Sequence, residues 1–145
     1  PETIKTSIMQ GRQGVMPAWQ AILGDDGVRD VTGYVRNLSN LENPAGIAVD
    51  LDAGKQLYAS NCAMCHGPDG KGLQVLGAPD LTDKVWLYGS SFAQVQQTIR
   101  YGRSGQMPAQ ADFLGNDKVH LLAAYVYSLS QREKAPAEGQ SREKD

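Results

Sequence analysis

One short segment of the chain, Cys62-Ala63-Met64-Cys65-His66, combines residue types that can hold a haem. Each of the two thiols can form a thioether with one vinyl group, because a spacing of two residues brings both sulfurs to the same porphyrin edge. The histidine that follows then lies beneath the iron, where a neutral imidazole nitrogen can ligate it. The segment therefore predicts one covalent haem c (heme c), with His66 as an iron ligand.

Three other interpretations of the segment account for fewer of its residues. A zinc site needs four ligands, and the whole chain has two cysteines and two histidines, with His120 far along the sequence. A dithiol redox motif does not require the histidine. A disulfide between Cys62 and Cys65 would close a small, strained loop. We therefore adopt the haem interpretation.

A methionine thioether is the usual partner of histidine in electron-carrying cytochromes c. Of the four methionines, Met64 lies inside the motif on the wrong side of the iron, and Met9 lies in a helix-like run that indicates a packing role. Met16 and Met107 are each followed by proline in a glycine-rich loop, which suits a close approach to a porphyrin. Because Met107 lies downstream of the motif in the same unit, we predict it as the second iron ligand.

The two methionine loops belong to an internal repeat. The chain aligns with itself without gaps at an offset of 91 positions, the separation of the two loop methionines. The matched pairs are Ile8 with Ile99, Gly11 with Gly102, Arg12 with Arg103, Gly14 with Gly105, Met16 with Met107, Pro17 with Pro108, Ala18 with Ala109, Leu23 with Leu114, Gly24 with Gly115, Asp26 with Asp117, Val28 with Val119, Tyr34 with Tyr125, Val35 with Val126, Leu38 with Leu129 and Ser39 with Ser130.

The repeat predicts the domain organisation. Residues 1–40 match the back half of a haem unit without its motif, 41–50 form a linker, 51–131 form a complete unit, and 132–145 form a charged, disordered tail. The chain thus reads as a fragment of a longer polypeptide, in which Met16 has lost its own haem. Half a core exposes apolar surface, so residues 1–40 could fray, dock on the second unit, or dimerise by exchange between molecules.

Helical signals dominate the complete unit. A first helix is predicted over 51–58 with Asp50 or Asp52 as its cap, a middle helix over 91–100 with a serine cap, and a final helix through Val119 to Leu129. Gly54 would permit a close helix crossing, with Tyr125 of the final helix packed over it. No strand-like alternation is apparent. The predicted fold class is all-α, with three to five helices around the haem.

Composition excludes several function classes. Fourteen basic and sixteen acidic residues give a net charge of −2, without a basic face for nucleic acid. No apolar run approaches the ~20 residues of a membrane span. Thioether attachment of haem indicates a periplasmic location, so a membrane link is expected only through an upstream anchor that this chain lacks.

Residues 51–131 resemble a class I cytochrome c domain. The order of features is helix, CxxCH, glycine-rich loop, Pro79-Asp80-Leu81, helix, methionine loop and final helix. In that family the carbonyl of the corresponding proline accepts a hydrogen bond from the haem-ligating histidine. The resemblance therefore implies a contact from His66 to Pro79 that orients the imidazole.

The tandem methionine loops, together with the segments 9–19, 61–70 and 85–89, resemble the dihaem subunit III of cbb3-type cytochrome c oxidases. The resemblance implies electron transfer from soluble cytochrome c donors to the catalytic subunits of a terminal oxidase. By itself the chain would be an electron carrier and not an enzyme. The first CxxCH motif and the membrane anchor of that family are absent from this sequence.

A few further residues have open roles. Arg100, Arg103, Trp86 and Tyr88 could contact the haem propionates, or could be ordinary surface charges and core aromatics. His120 is expected to face solvent on the final helix. The alternative function is a haem enzyme or gas sensor with an open distal site, such as a peroxidase, and the methionine–proline loop favours electron transfer over it.

Overall fold

The computed structural model describes residues 2–132, and these residues are mostly helical. This confirms the all-α prediction, whereas the predicted tail lies outside the described residues except for Arg132. The elements in chain order are α1 (Glu2–Gln10), β1 (Arg12–Met16), α2 (Gln20–Leu38), α3 (Leu51–Asn61), α4 (Ala63–His66), a 3-10 turn (Gln74–Leu76), α5 (Phe92–Tyr101), β2 (Arg103–Met107) and α6 (Ala111–Arg132).

The helix ends follow the capping signals of the sequence. Asp50 caps α3, since its carboxylate accepts hydrogen bonds from the amides of the second and third residues that follow it. Ser91 and Gln94 form a capping box at the start of α5. Gly102 ends α5 with φ of 72°, a backbone conformation that favours glycine.

The two methionine loops are strands, which the sequence analysis did not predict. β1 and β2 pair in a two-stranded sheet, and each is five residues long. β1 and β2 occupy matching positions of the repeat, so the two methionine loops pair with each other. Because a single loop is short and rich in glycine, it carries no recognisable alternation of its own.

The chain folds into two compact units. The motif unit contains residues 13–105, and the terminal unit contains residues 2–12 with 106–132. This grouping differs from the predicted boundaries at 1–40, 41–50 and 51–131, which follow the order of the repeats. Those boundaries stay a prediction.

The core of the motif unit is formed by α2, α3 and α5. Its buried members are Val28, Val31, Val35, Tyr58, Cys62, Val95 and Ile99. At the crossing of α2 and α3, a Cβ atom on Gly54 would lie 2.3 Å from the carbonyl oxygen of Asp30 and 3.0 Å from Cβ of Tyr34. The close crossing at Gly54 was predicted, but the tyrosine was wrong: Tyr34 takes the place assigned to Tyr125. The reason is that α2 packs on α3 within the motif unit.

The terminal unit pairs α1 with α6. Its buried residues are Ile8, Val119 and Ala123. Along α6 several apolar side chains stay exposed within this unit, including Leu121 and Tyr125. Two helices alone therefore cover only one side of α6.

Candidate haem site

The cysteine–histidine motif is one helical turn that continues directly from α3. The amide of Cys62 donates to the carbonyl of Tyr58 (2.8 Å), and the amide of His66 donates to the carbonyl of Cys62 (2.9 Å). Both thiols are free. Because the turn is helical, Cys62, Cys65 and His66 lie next to one another on a rigid support.

Cys62 is buried and Cys65 is partly exposed. Burial, with a smaller contribution from Cys65, raises the pKa of the Cys62 thiol to about 11. The thiol is therefore protonated at neutral pH. Dithiol oxidoreductases require the opposite, a lowered pKa that yields a thiolate, so the structure opposes that interpretation of the motif.

His66 is buried, and one of its two ring nitrogens already forms a hydrogen bond within the protein. Its Nδ1 lies 3.2 Å from the carbonyl oxygen of Pro79, which can only accept, so Nδ1 carries the proton and Nε2 keeps its lone pair. Burial lowers the pKa of His66, and the hydrogen bond to Pro79 opposes this effect in part. A neutral imidazole with a free Nε2 is the form that ligates a metal.

The backbone around Pro79 holds that carbonyl in place. The amide of Gly72 donates to the carbonyl of His66 (2.7 Å), and the amide of Leu81 donates to the carbonyl of Gly70 (2.7 Å). A Cβ atom on Gly72 would lie 2.5 Å from the Pro79 oxygen, so a side chain there would displace the segment. The contact to His66 is thus built into the loop.

The segment that follows the motif along the chain fits a group with an apolar body and acidic substituents. Between residues 73 and 88 the motif unit exposes a run of large apolar side chains: Leu73, Val75, Leu76, Val85 and Leu87. In the same stretch the indole Nε1 of Trp86 is buried without a hydrogen-bond partner among residues 2–132. A porphyrin would cover the apolar side chains, and a propionate would accept from the indole.

A metal site made of side chains alone is not supported. Within the part of the chain that the structure describes, no three residues of His, Cys, Asp or Glu gather where they could hold a metal ion.

Comparison with known proteins decides the family. Residues 49–126 match the family described as cytochrome c oxidase, cbb3-type, subunit III. The chain belongs to this family. It is 44% identical over 131 residues to the cbb3-type cytochrome c oxidase subunit CcoP of Rubrivivax gelatinosus, covering 90% of this chain and 42% of that protein.

A second relative gives the same result. The chain is 44% identical over 108 residues to the subunit FixP of Bradyrhizobium diazoefficiens, covering 74% of this chain and 37% of that protein. The chain therefore spans less than half the length of these curated relatives. None of the helices within residues 2–132 has the length and apolar character needed to cross a bilayer.

In this member of the cbb3 subunit III family, the predicted site residues do not all lie in one unit. Cys62, Cys65, His66 and Pro79 lie together in the motif unit, whereas Met107 lies in the terminal unit with its side chain 40% exposed. Met16 lies in the motif unit and packs against the core that contains Cys62. Met107 as an iron ligand stays a prediction.

The two arginines near the second methionine loop have partners within the protein. Arg100 donates to Gln20 and to Asp25, each at 2.8 Å. The guanidinium of Arg103 lies 4.4 Å from the ring centre of Tyr88. His120 is exposed on α6, as predicted. Trp86 is the residue of this group with a buried donor that lacks a hydrogen-bond partner among residues 2–132.

Proposed function

We propose that the chain carries electrons through one covalent haem c, as part of a longer subunit of a cbb3-type oxidase. The observation that carries the proposal is the geometry at His66. Its Nδ1–H donates a hydrogen bond to the Pro79 carbonyl, so Nε2 is unprotonated and its lone pair is free to ligate iron. When bound, the haem supplies one-electron redox chemistry.

Each residue of the site has a separate role in this proposal. Cys62 and Cys65 tether the porphyrin through thioethers, and the helical turn fixes their spacing. His66 would ligate the iron, and Pro79 orients its ring. A methionine thioether would be the second ligand and would raise the reduction potential. The sequence analysis predicts Met107 in that role.

The proposed partners follow from the relatives, which are named as oxidase subunits. We propose that soluble cytochrome c donors reduce this domain in the periplasm and that it reduces the catalytic subunits of the oxidase. An anchor outside this chain would hold it at the membrane. Met64 is 80% exposed between the two cysteines, so the thioether edge is open to a transient partner.

The chain acts in this proposal as a carrier and not as an enzyme by itself. A filled sixth position leaves no open iron site for oxygen or peroxide, which separates it from the alternative of a peroxidase-like enzyme or gas sensor. Carbon monoxide added to the reduced protein distinguishes the two. Slow or negligible binding is expected, and rapid binding would favour the alternative.

The tether is tested by acid–acetone extraction, which removes haem that is not covalently bound. The chain is produced in a host that attaches haem c in its periplasm. The unmodified chain should keep its haem, and the double variant Cys62→Ser/Cys65→Ser should lose it. Met64→Leu is the matched control, because this exposed residue lies between the thiols and should not affect retention. Extraction of haem from the unmodified chain would contradict the proposal.

A further inference from the structure

The hydroxyl of Tyr58 reaches the end of the cysteine–histidine motif. Tyr58, Cys62 and His66 follow one another at intervals of four residues along a continuous helical run, so their side chains lie on the same face. Tyr58 is 2% exposed. Its hydroxyl extends along the motif turn and donates to the carbonyl of Gly67 (2.8 Å), the residue directly after His66. This side chain thus ties the helix before the motif to the residue after it.

Packing in the core requires only the ring of Tyr58. The ring lies against that of Tyr34, with 5.3 Å between the ring centres, and a phenylalanine ring would fill the same space. The hydroxyl adds a directed donor. Burial raises the pKa of Tyr58 to about 12, so the group stays protonated at neutral pH and continues to donate. The hydroxyl therefore acts on the carbonyl of Gly67, beyond the packing of the core.

The carbonyl of Gly67 belongs to a tight turn that supports the proline segment. The same carbonyl accepts from the amide of Gly70 (3.2 Å), and the carbonyl of Gly70 accepts from the amide of Leu81 (2.7 Å). Leu81 lies two residues after Pro79, whose carbonyl oxygen lies 3.2 Å from Nδ1 of His66. A series of hydrogen bonds thus runs from the buried hydroxyl, through this turn, to the oxygen that orients the imidazole.

The turn is seated on the helices of the core. Gly70 has φ of 76°, a backbone conformation that favours glycine. A Cβ atom on Gly70 would lie 3.1 Å from Cδ1 of Leu38, 3.2 Å from Cγ2 of Thr82 and 3.7 Å from the hydroxyl oxygen of Tyr58. Because Leu38 belongs to α2 and Tyr58 to α3, the turn rests on rigid elements. Removal of the hydroxyl would release it from α3.

Resting on the function proposed above, we propose that Tyr58 is a positioning residue of the haem site, whose hydroxyl holds the turn that keeps the Pro79 carbonyl on Nδ1 of His66. A hydrogen bond donated by Nδ1 raises the basicity of an imidazole that ligates a metal. A more basic ligand favours the ferric state and so lowers the reduction potential. Tyr58 thus adjusts the potential through His66 and is not itself a ligand.

The test compares Tyr58→Phe with Tyr34→Phe in the ferrous haem-containing chain. Each variant removes one hydroxyl from the same pair of neighbouring rings. Nuclear magnetic resonance gives the hydrogen-exchange rates of the His66 Nδ1–H and of the amide of Val31, a fully buried core residue. In Tyr58→Phe the Nδ1–H should exchange about fivefold faster relative to the Val31 amide, the factor expected for loss of one neutral hydrogen bond. The reduction potential should rise. Tyr34→Phe should change neither quantity.

The outcomes separate this inference from the proposed function. A purely structural role of Tyr58 predicts that both protons exchange faster by the same factor. That result, an unchanged Nδ1–H rate and potential, or an equal effect of Tyr34→Phe overturns the inference while the electron carrier stands. A chain without attached haem overturns both. If Tyr58→Phe does not fold, Gly70→Ala decides, because it alters the turn itself and must accelerate the Nδ1–H exchange; an unchanged rate overturns the inference.

Discussion

The repeat supplies a matched pair of tyrosines that tests which helix packs on α3. Tyr34 of α2 and Tyr125 of α6 occupy the same position of the repeat. Tyr34 packs over Gly54, and its ring centre lies 5.3 Å from that of Tyr58 with the planes tilted by 53°. Tyr125 is 58% exposed. Truncation to alanine should therefore be costly at Tyr34 and mild at Tyr125.

The magnitude follows from burial and from the aromatic pair. Replacing a fully buried aromatic residue by alanine costs about 3–5 kcal/mol. Because Tyr34 is only partly buried, about half of that applies, and loss of the contact with Tyr58 adds about 0.5–1.5 kcal/mol. We expect Tyr34→Ala to lower the free energy of unfolding by about 2–4 kcal/mol. For Tyr125→Ala, an exposed substitution, we expect a loss of less than about 1 kcal/mol.

The assay is guanidinium unfolding of the haem-containing protein, followed by far-ultraviolet circular dichroism. The two variants remove the same side chain from the same position of the two repeats, so each is the control for the other. If Tyr125→Ala lowers the free energy of unfolding as much as Tyr34→Ala or more, α6 and not α2 packs on α3. That result would refute the helix arrangement described above.

Two further predictions concern the helix crossing and the proline segment. Gly54→Ala should lower the free energy of unfolding by about 1–3 kcal/mol, because its Cβ would lie 2.3 Å from a backbone oxygen. Gly27→Ala on the facing helix should stay within about 1 kcal/mol in the same denaturation assay, since its neighbours are side-chain atoms at 3.1 and 3.3 Å; equal losses would contradict the close crossing. A hydrogen bond from the hydroxyl of Thr82, and a weaker one from its amide, hold the pKa of Asp80 below its usual value. The ionised carboxylate therefore stabilises the fold at pH values above the unfolded-state pKa of about 3.9. This stabilisation is lost as the pH falls through the lower folded-state pKa. In an NMR titration Thr82→Val should raise the pKa of Asp80, and an unchanged value would contradict this cause.

Much of the local structure could be predicted because short-range signals determine it. The carboxylate of Asp50, the Ser91–Gln94 pair and Gly102 each lie within a few residues of the backbone groups that they affect. The CxxCH spacing is equally local, since one helical turn brings its three functional residues together. Such features need no knowledge of which distant helices meet.

The partners of the long helices could not be predicted in the same way. Met16 and Met107 lie in loops with nearly the same sequence, so local pattern cannot tell which loop lies beside the motif. The position of α2 depends on Asp30 and Arg36, whose polar side chains form hydrogen bonds with backbone groups of the motif unit outside α2. Polar residues on a largely apolar helix face are a signal that sequence analysis could have weighed.

The intact mass of the purified chain tests the central claim most directly. If Cys62 and Cys65 tether a porphyrin, mass spectrometry under denaturing conditions should give the polypeptide plus one haem, with no free thiol left to alkylate. The mass of the bare polypeptide, from a host that attaches haem c to a control cytochrome in the same preparation, would contradict the account.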